Sequence, residues 1–152
     1  MKPEDLAEIM KTMKTLSENA SKNGISVQIP PNSFLDMNGE FLEYQKNKNL
    51  TVQFPVKENQ TNPLGMMQGG YIAAAFDNTF GPLSYLVAKK PMVTIDLSCQ
   101  YIRGVEKGQN ITVEARIVAR GFSTLHMTGE MYSENRKLLA TSSTNLLILK
   151  TS

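Results

Sequence analysis

The stretch YIAAAFDNTFGPLSYLV, from Tyr71 to Val87, decides the fold. Its apolar residues lie around most of the circumference of a helix, so such a helix is buried on several sides instead of lying on a surface. The stretch follows the pair Gly69-Gly70. We therefore predict a buried central helix that begins near residues 66–69 and ends near Val87, with Gly81-Pro82 as the candidate position for a bend.

The segments around this helix carry two different periodicities. In residues 3–22 apolar residues recur at three- and four-residue steps, which is typical of an amphipathic helix, and Asn23-Gly24 supplies a stop. This periodicity leaves open whether the helix packs on its own chain or on a partner. Elsewhere apolar and polar residues alternate, which is typical of strands. The strands predicted on this basis are 33–44, 50–56, 93–103, 110–120, 124–133 and 137–150.

Two of these strands carry details that bear on the site. The tract Asp36-Met37-Asn38-Gly39 predicts a bulge or a tight turn within the first strand. Strict alternation in the third strand predicts two faces. One face carries Val93, Ile95, Leu97, Cys99 and Tyr101, and the other carries Thr94, Asp96, Ser98 and Gln100.

The order of these elements predicts an α+β fold. One long antiparallel β-sheet wrapped around one central α-helix, with an extra N-terminal helix, accounts for all of them. We divide the chain into the N-terminal helix, residues 1–24, and a single sheet-and-helix domain, residues 25–152.

The composition limits the class of protein. With 152 residues and a net charge of +2, the chain fits one domain, and its charge does not favour binding to nucleic acid or to an anionic membrane. Its apolar runs are shorter than a membrane span, and its N-terminus is too polar for a signal peptide, so we expect a cytoplasmic protein. The single Cys99 and the single His126 argue against a disulfide and against a metal site.

Asp77 is the only charged residue between Gly70 and Lys89. A carboxylate buried among the apolar residues of this helix costs several kcal/mol unless it is partnered or protonated, so Asp77 is our candidate for chemistry. The alternative is a structural role, in which Asp77 caps a local break before Pro82 or faces solvent.

The glycines before Asp77 suggest a second part of the site. The segment Gly65–Gly70 lacks the Lys-Ser/Thr ending of a phosphate-binding P-loop. At the start of a helix, however, the free N–H of Gly70 can stabilise a developing oxyanion. The alternative is that Gly69 and Gly70 let a strand cross close to the helix. About 10 Å of helix rise separates Gly70 from Asp77, which suggests a site shared between two chains.

Three other residue types are weaker candidates. His126 lies in a strand between Leu125 and Met127, which is typical of a half-exposed strand residue, and Cys99 reads as a buried, inert thiol. Met66, Met67 and Met92 flank the expected site and can line an apolar pocket.

The segment Asn62-Pro-Leu-Gly-Met-Met-Gln-Gly-Gly70 followed by Asp77 resembles the hotdog-fold acyl-CoA thioesterases of the PaaI-like group. Their signature is Asn-x-x-Gly-x-x-His-Gly-Gly, followed seven residues later by a catalytic Asp. The strand 93–103 continues the likeness, which covers about residues 33–150. The resemblance implies a hotdog fold that hydrolyses a medium-chain or aryl acyl-CoA, needing no cofactor beyond the coenzyme A of the substrate. It also implies a homodimer with shared active sites, commonly paired into a dimer of dimers.

The resemblance also implies roles for individual residues. Asp77 corresponds to the nucleophile or general base, and the N–H of Gly70 to the oxyanion donor. Asn62 corresponds to a residue that positions water or the carbonyl on the partner subunit, and Thr94 to one that assists the water. Because Thr94 points away from the predicted apolar face of its strand, we expect it to serve a neighbouring chain's site. The implied substrate-binding positions are Gly69, Met67, Phe80, Arg103, Arg120 and Ser123, the arginines for the phosphates of coenzyme A or as ordinary solvated residues.

Gln68 departs from the pattern, because a His usually precedes the two glycines. The 4-hydroxybenzoyl-CoA thioesterases are similar to this chain at that position. A glutamine can donate a hydrogen bond to the thioester carbonyl but does not titrate near neutral pH. This departure favours an alternative, a non-catalytic acyl-CoA-binding protein on the same fold. A dehydratase or hydratase on this fold needs a His paired with an acid, and the central helix has none nearby.

Overall fold

The computed structural model describes residues 1–150 and contains three α-helices, a short 3₁₀ turn at Glu58–Gln60 and six strands. No helix within residues 1–150 is long and apolar enough to cross a membrane. In chain order the elements are α1 (Pro3–Lys22), α2 (Asn32–Asp36), β1 (Glu40–Gln45), β2 (Asn49–Pro55), α3 (Gly69–Ala88), β3 (Met92–Tyr101), β4 (Asn110–Arg120), β5 (Thr124–Tyr132) and β6 (Leu138–Ile148).

The six strands form one antiparallel sheet in the order β1-β2-β4-β5-β6-β3, and α3 packs across one of its faces. Phe76 and Phe80 on α3 are fully buried against the sheet. A Cβ atom at Gly129 on β5 would lie 3.1 Å from the ring of Phe80, so the absence of a side chain there lets the sheet approach the helix. The predicted α+β architecture is confirmed, and α3 continues through Pro82 to Ala88.

The helix α1 packs on α3 of its own chain, which answers the question that periodicity left open. Its buried side chains include Ile9 and Met13. The predicted stop at Asn23-Gly24 is confirmed. Gly24 has φ of +74°, and the N–H of Ile25 donates to the carbonyl of Ala20, which closes the helix end.

The strand predicted for residues 33–44 is wrong in its first half, where the structure has α2 and then a turn before β1. Phe34 and Met37 are both buried, a three-residue spacing that suits a helical turn better than a strand. Asn38 has φ of +52°, and the N–H of Gly39 donates to the carbonyl of Phe34. The Asp36–Gly39 tract therefore ends a helix instead of interrupting a strand.

The strict alternation predicted for β3 is also wrong, because the strand contains a bulge. The register with β6 shifts between Thr94 and Asp96, which leaves Ile95 as the extra residue. Thr94 consequently faces α3, as does Leu97, whereas Val93 and Ile95 are 44% and 57% exposed. The bulge thus moves a polar side chain to the helix side of the strand.

Candidate active site

The loop before α3 is closed by the side chain of Asn62. Its Oδ1 accepts hydrogen bonds from the N–H groups of Leu64 (2.9 Å) and Met66 (3.1 Å). The N–H of Asn62 donates to the carbonyl of Met66 at 2.7 Å. This small ring of bonds fixes where the chain enters the helix. The side-chain oxygen of Asn62 is occupied within the loop, so the amide nitrogen is the group that it can offer to a substrate or to water.

The first residues of α3 differ in what surrounds them. Gly69 lies under the ring of Tyr101, whose hydroxyl donates to the carbonyl of Gly69 at 3.0 Å, and a Cβ at Gly69 would lie 3.2 Å from that ring. Gly70 is exposed, and a Cβ there would meet nothing within 4 Å. Close strand crossing therefore explains Gly69. It does not explain Gly70, whose N–H is one of the first four of the helix and lacks an intrahelical acceptor.

Gln68 occupies the position just before the helix. Its carbonyl accepts the N–H groups of Tyr71 and Ile72, and its own N–H donates to the carbonyl of Gln60 at 2.8 Å. Its side chain is exposed and makes no hydrogen bond to any residue of the described range 1–150. The backbone of Gln68 is thus fixed while its side-chain amide is free to meet a ligand.

Asp77 and Thr94 form one unit within a single chain. The hydroxyl of Thr94 donates to Oδ1 of Asp77 at 3.0 Å, so Thr94 lies with the Asp77 of its own chain and not at a neighbouring chain's site. Asp77 is exposed in the single chain, contrary to the expectation of a buried carboxylate. The physical reason is that Asp77 lies at a groove that is open in the single chain, and not in the core. The next residue, Asn78, is buried and donates from Nδ2 to Oγ of Ser33 at 2.9 Å.

A groove of about 310 Å³ opens beside Asp77, and we call it the Asp77 groove. Thr94 lies at it, and most of its other lining is apolar. Tyr85, two helical turns beyond Asp77, also lines it and donates to the carbonyl of Met92 at 3.4 Å. Burial raises the pKa of Tyr85, and the negative charge of Asp77 adds to that rise. Tyr85 therefore keeps its phenolic proton to a higher pH than an ordinary tyrosine does.

A second groove of about 380 Å³ lies beside the start of α3, and we call it the Gly69 groove. It runs between the loop that begins at Asn62 and the end of β3, and its lining includes Met67 and Arg103. Arg103 is exposed and donates from Nη1 to the carbonyl of Leu138 at 2.7 Å. Three of the implied substrate-binding residues, Met67, Gly69 and Arg103, thus share one groove, but Asp77 does not line it.

The other implied substrate-binding residues line neither groove. Phe80 is fully buried in the core, so its position does not support a contact with substrate. Arg120 donates from Nη1 to the carbonyl of Val87 at 3.3 Å, close to the end of α3. Ser123 lies in the turn after β4, where its carbonyl accepts the N–H of Ile148 at 2.7 Å. These contacts give Arg120 and Ser123 structural roles in the single chain.

His126 and Cys99 lie away from both grooves. Nδ1 of His126 lies 2.9 Å from Oδ1 of Asn145, on the face of the sheet opposite α3. Cys99 is partly buried against the core, and burial raises the pKa of its thiol. Both positions agree with the structural, non-catalytic roles that the sequence predicts for His126 and Cys99. Within residues 1–150, no group of three or more His, Cys, Asp or Glu residues could hold a metal ion.

Sequence reasoning missed Tyr85, Tyr101 and the pair Asn78 and Ser33. For Tyr85 a signal was present, because Asp77, Gly81 and Tyr85 recur at four-residue steps and so share a stripe of the helix. The contact between Tyr101 and Gly69 had no sequence signal, because it depends on where the strand after the helix ends.

The model of the thioesterase superfamily matches residues 64–140, which is half of the chain. No curated protein matches the chain. Among solved structures, smu.793 of Streptococcus mutans UA159, bound to acetyl CoA, is 20% identical with a TM-score of 0.70, and 75% of this chain and 90% of that chain are covered. The E. coli PaaI protein from the phenylacetic acid degradation operon is 15% identical with a TM-score of 0.76, covering 90% and 98%.

A hypothetical thioesterase of Streptococcus pneumoniae TIGR4 with coenzyme A is 17% identical with a TM-score of 0.72, and 78% of this chain and 93% of that chain are covered. These structural likenesses agree with the hotdog fold implied by the sequence. Because the family match spans half of the chain, the protein belongs to the thioesterase superfamily and is a thioester hydrolase.

Proposed function

We propose that this protein hydrolyses acyl-CoA thioesters at two identical sites, each built from two copies of the chain. The observation that carries the proposal is the separation of the candidate groups within one chain. Asp77 and Thr94 lie at the Asp77 groove, whereas Gly70 lies in the first turn of α3, beside the Gly69 groove. Seven residues of helix, about 10 Å of rise, separate Gly70 from Asp77, which is too far for both to act on one carbonyl.

The strand β3 supports a way of bringing these groups together. It is an edge strand of the sheet, and Val93, Ile95 and Tyr101 on it are exposed apolar residues. Such an edge is a template for pairing with a second strand. If β3 pairs antiparallel with β3 of a second copy about a two-fold axis, the Thr94 end of one strand lies beside the Tyr101 end of the other. Asp77 of one chain then faces Gly70 of the other.

The proposed reaction uses Asp77 as a general base. The carboxylate takes a proton from water while the water oxygen attacks the carbonyl carbon, and the carbonyl electrons move to oxygen. The N–H of Gly70 stabilises that oxyanion, and Gln68 and the amide nitrogen of Asn62 are further donors within the same loop. Collapse breaks the C–S bond, the thiolate of coenzyme A takes the proton from Asp77, and a free acid remains.

A covalent route uses the same groups. Asp77 attacks the carbonyl carbon itself, coenzyme A leaves, and water opens the resulting mixed anhydride. In both routes Thr94 holds Oδ1 of Asp77, which leaves Oδ2 to act. Label in the Asp77 carboxylate after a single turnover in ¹⁸O-labelled water would establish the covalent route, because only attack of water on the Asp77 carbon of the anhydride places it there.

Coenzyme A as part of the substrate is supported by two similar structures that hold it or acetyl CoA. In this chain Arg103 is the basic group at the Gly69 groove, and the guanidinium has donors beyond the one bound to Leu138 with which to meet a phosphate. The apolar lining of the Asp77 groove suits a medium-chain or aryl acyl group. Hydrolysis needs water alone as co-reactant.

One observation favours a second candidate function, an acyl-CoA-binding protein without turnover. Gln68 stands where the PaaI-like thioesterases usually carry a His, and a glutamine cannot transfer protons near neutral pH. Hydrolysis of a panel of acyl-CoAs, followed by release of the coenzyme A thiol, separates the two functions. Turnover by the wild type supports the enzyme, whereas binding of the same acyl-CoAs without turnover supports the binding protein.

Co-expression of two inactive variants tests the shared site directly. Asp77→Asn and Gly70→Val damage different halves, so a mixed dimer contains one intact site and one doubly damaged site. Random pairing is expected to restore about one quarter of the wild-type activity if the site is shared. If each site belongs to one chain, the mixture stays as inactive as the separate variants.

A further inference from the structure

The Asp77 groove has a wall that the family match does not include. The match begins at residue 64, but Met13 of α1 lines the groove, as do Val27, Ile29 and Pro31 from the segment between α1 and α2. These four residues, which we call the N-terminal wall, line the same groove as Asp77 and Thr94. The reacting groups and this part of the apolar lining therefore come from different parts of the chain.

Hydrogen bonds and packing hold the N-terminal wall against the body. The hydroxyl of Ser17 donates to the carbonyl of Val27 at 2.9 Å, which ties the segment to α1. Asn78, beside Asp77, donates to Oγ of Ser33 just beyond the wall. Met13 is only 2% exposed, so α1 is seated and not loosely attached. The wall is therefore a fixed surface with a defined shape.

We infer that the N-terminal wall limits the acyl group of the thioester to a compact one, of aromatic or medium-length size. The inference rests on the proposed function. Met13 of the wall and two residues outside it, Met92 and Leu146, are buried and give the groove an apolar lining, which suits a hydrocarbon group and offers no partner to a charged one. The volume of about 310 Å³ is near the lower end of the roughly 300–1,000 Å³ of ligand pockets, so most of a long acyl chain would extend beyond the groove.

Variants of the wall test this inference by a ratio of activities. Met13→Ala enlarges the groove. We expect it to raise kcat/KM for a long acyl-CoA relative to a short one by at least about tenfold, since apolar pockets discriminate single methylenes by about 10- to 200-fold. Val27→Phe narrows the groove and is expected to lower the same ratio. Ile9→Ala is the matched control, because Ile9 is a fully buried residue of α1 that does not line the groove.

Affinity for thioether analogues, in which a CH₂ group replaces the thioester carbonyl, separates this inference from the proposed function. If the wild type turns over acyl-CoA and neither Met13→Ala nor Ile9→Ala changes the ratio of kcat/KM for long and short acyl-CoAs, the inference is wrong and the proposed function stands. The other case is a wild type that binds the analogues without turning over acyl-CoA. If Met13→Ala then changes the preference for analogue length and Ile9→Ala does not, the result supports the inference and rejects hydrolysis. Absence of both turnover and analogue binding rejects both.

Discussion

The hydroxyl of Thr94 lies 3.0 Å from Oδ1 of Asp77, and the bulge at Ile95 makes this contact possible. In an unbroken strand Thr94 and Leu97 would point to opposite faces, because they are three residues apart. With one extra residue between them, Leu97 packs on the core and Thr94 faces the same helix. A one-residue irregularity thus supplies a hydrogen bond to the candidate catalytic carboxylate.

The first prediction concerns this pair. Asp77→Asn keeps the shape and removes the charge, so we expect kcat to fall at least about 100-fold, while Thr94→Val, which only frees the carboxylate, lowers it about tenfold. Both residues are exposed in the single chain, so the melting temperature should change little. Asp96→Asn is the control, because Asp96 is an exposed carboxylate of the same strand that bonds Asn145 on the opposite face. Equal losses in all three variants would reject the assignment.

The second prediction separates the adjacent glycines. Gly70→Ala meets no atom within 4 Å, so we expect normal stability and a loss of kcat/KM of about 10- to 100-fold, because the methyl group crowds the oxyanion donor. Gly69→Ala places its Cβ 3.2 Å from the Tyr101 ring and is expected to lower the melting temperature. The double variant with Tyr101→Ala should recover part of that loss. Stability and activity that change together at both positions would contradict this division.

The third prediction concerns the edge strand. Ile95→Lys places a charge on the β3 edge, and we expect it to give monomers in sedimentation and to abolish hydrolysis in the same protein. Val118→Lys is the control: Val118 is also an exposed apolar residue at a bulge, but in β4, an interior strand of the sheet. A monomeric Ile95→Lys protein with full activity would show that one chain suffices.

The fourth prediction concerns position 68. Gln68→His introduces a group with an ordinary pKa of about 6.5, so its pH–rate profile should gain an inflection near that pH that the wild type lacks. Gln68→Ala removes the side-chain donor and is expected to lower kcat/KM about tenfold. An identical profile for Gln68→His would mean that position 68 does not meet the reacting carbonyl.

The fifth prediction concerns Cys99. Burial raises the pKa of this thiol, so the folded protein holds its proton more tightly than the unfolded chain does. The stability this gives is present below the ordinary value of 9.0 and is lost as pH rises through the folded-state pKa. Cys99→Ala should therefore be less sensitive to alkaline pH in thermal melts and fully active. Labelling by a thiol reagent should be slow in native protein at pH 8 and complete in denaturant.

The sequence predicts the architecture because its longest signals are simple. The apolar run of α3 and the alternation in β4 recur over ten or more residues, and both elements lie within about three residues of their predicted bounds. The strand predicted for residues 33–37 is wrong because so short a span carries too few apolar residues to establish a period. The bulge at Ile95 cannot be read from alternation, because an inserted residue is visible only in the pairing with β6.

The sequence likewise predicts some residues of the candidate site and not others. Asp77 and Gly70 are marked by their types and spacing, and the structure gives each an open position. The family resemblance implied that Phe80 binds substrate, but Phe80 is fully buried in the core. The part that Met13 takes could not be read from the sequence, because it depends on how a separate helix packs on the body.

Asp77 and Asn78 are consecutive residues of α3 and both line the Asp77 groove, but Asp77 is exposed whereas Asn78 is buried and donates to the hydroxyl of Ser33. A helix turns by about 100° per residue, so one rigid element fixes both directions at once. Any rotation of α3 that loosened the hold on Ser33 would also re-aim the carboxylate. Selection for a different substrate and selection for a faster reaction would therefore both act on the orientation of α3 about its own axis.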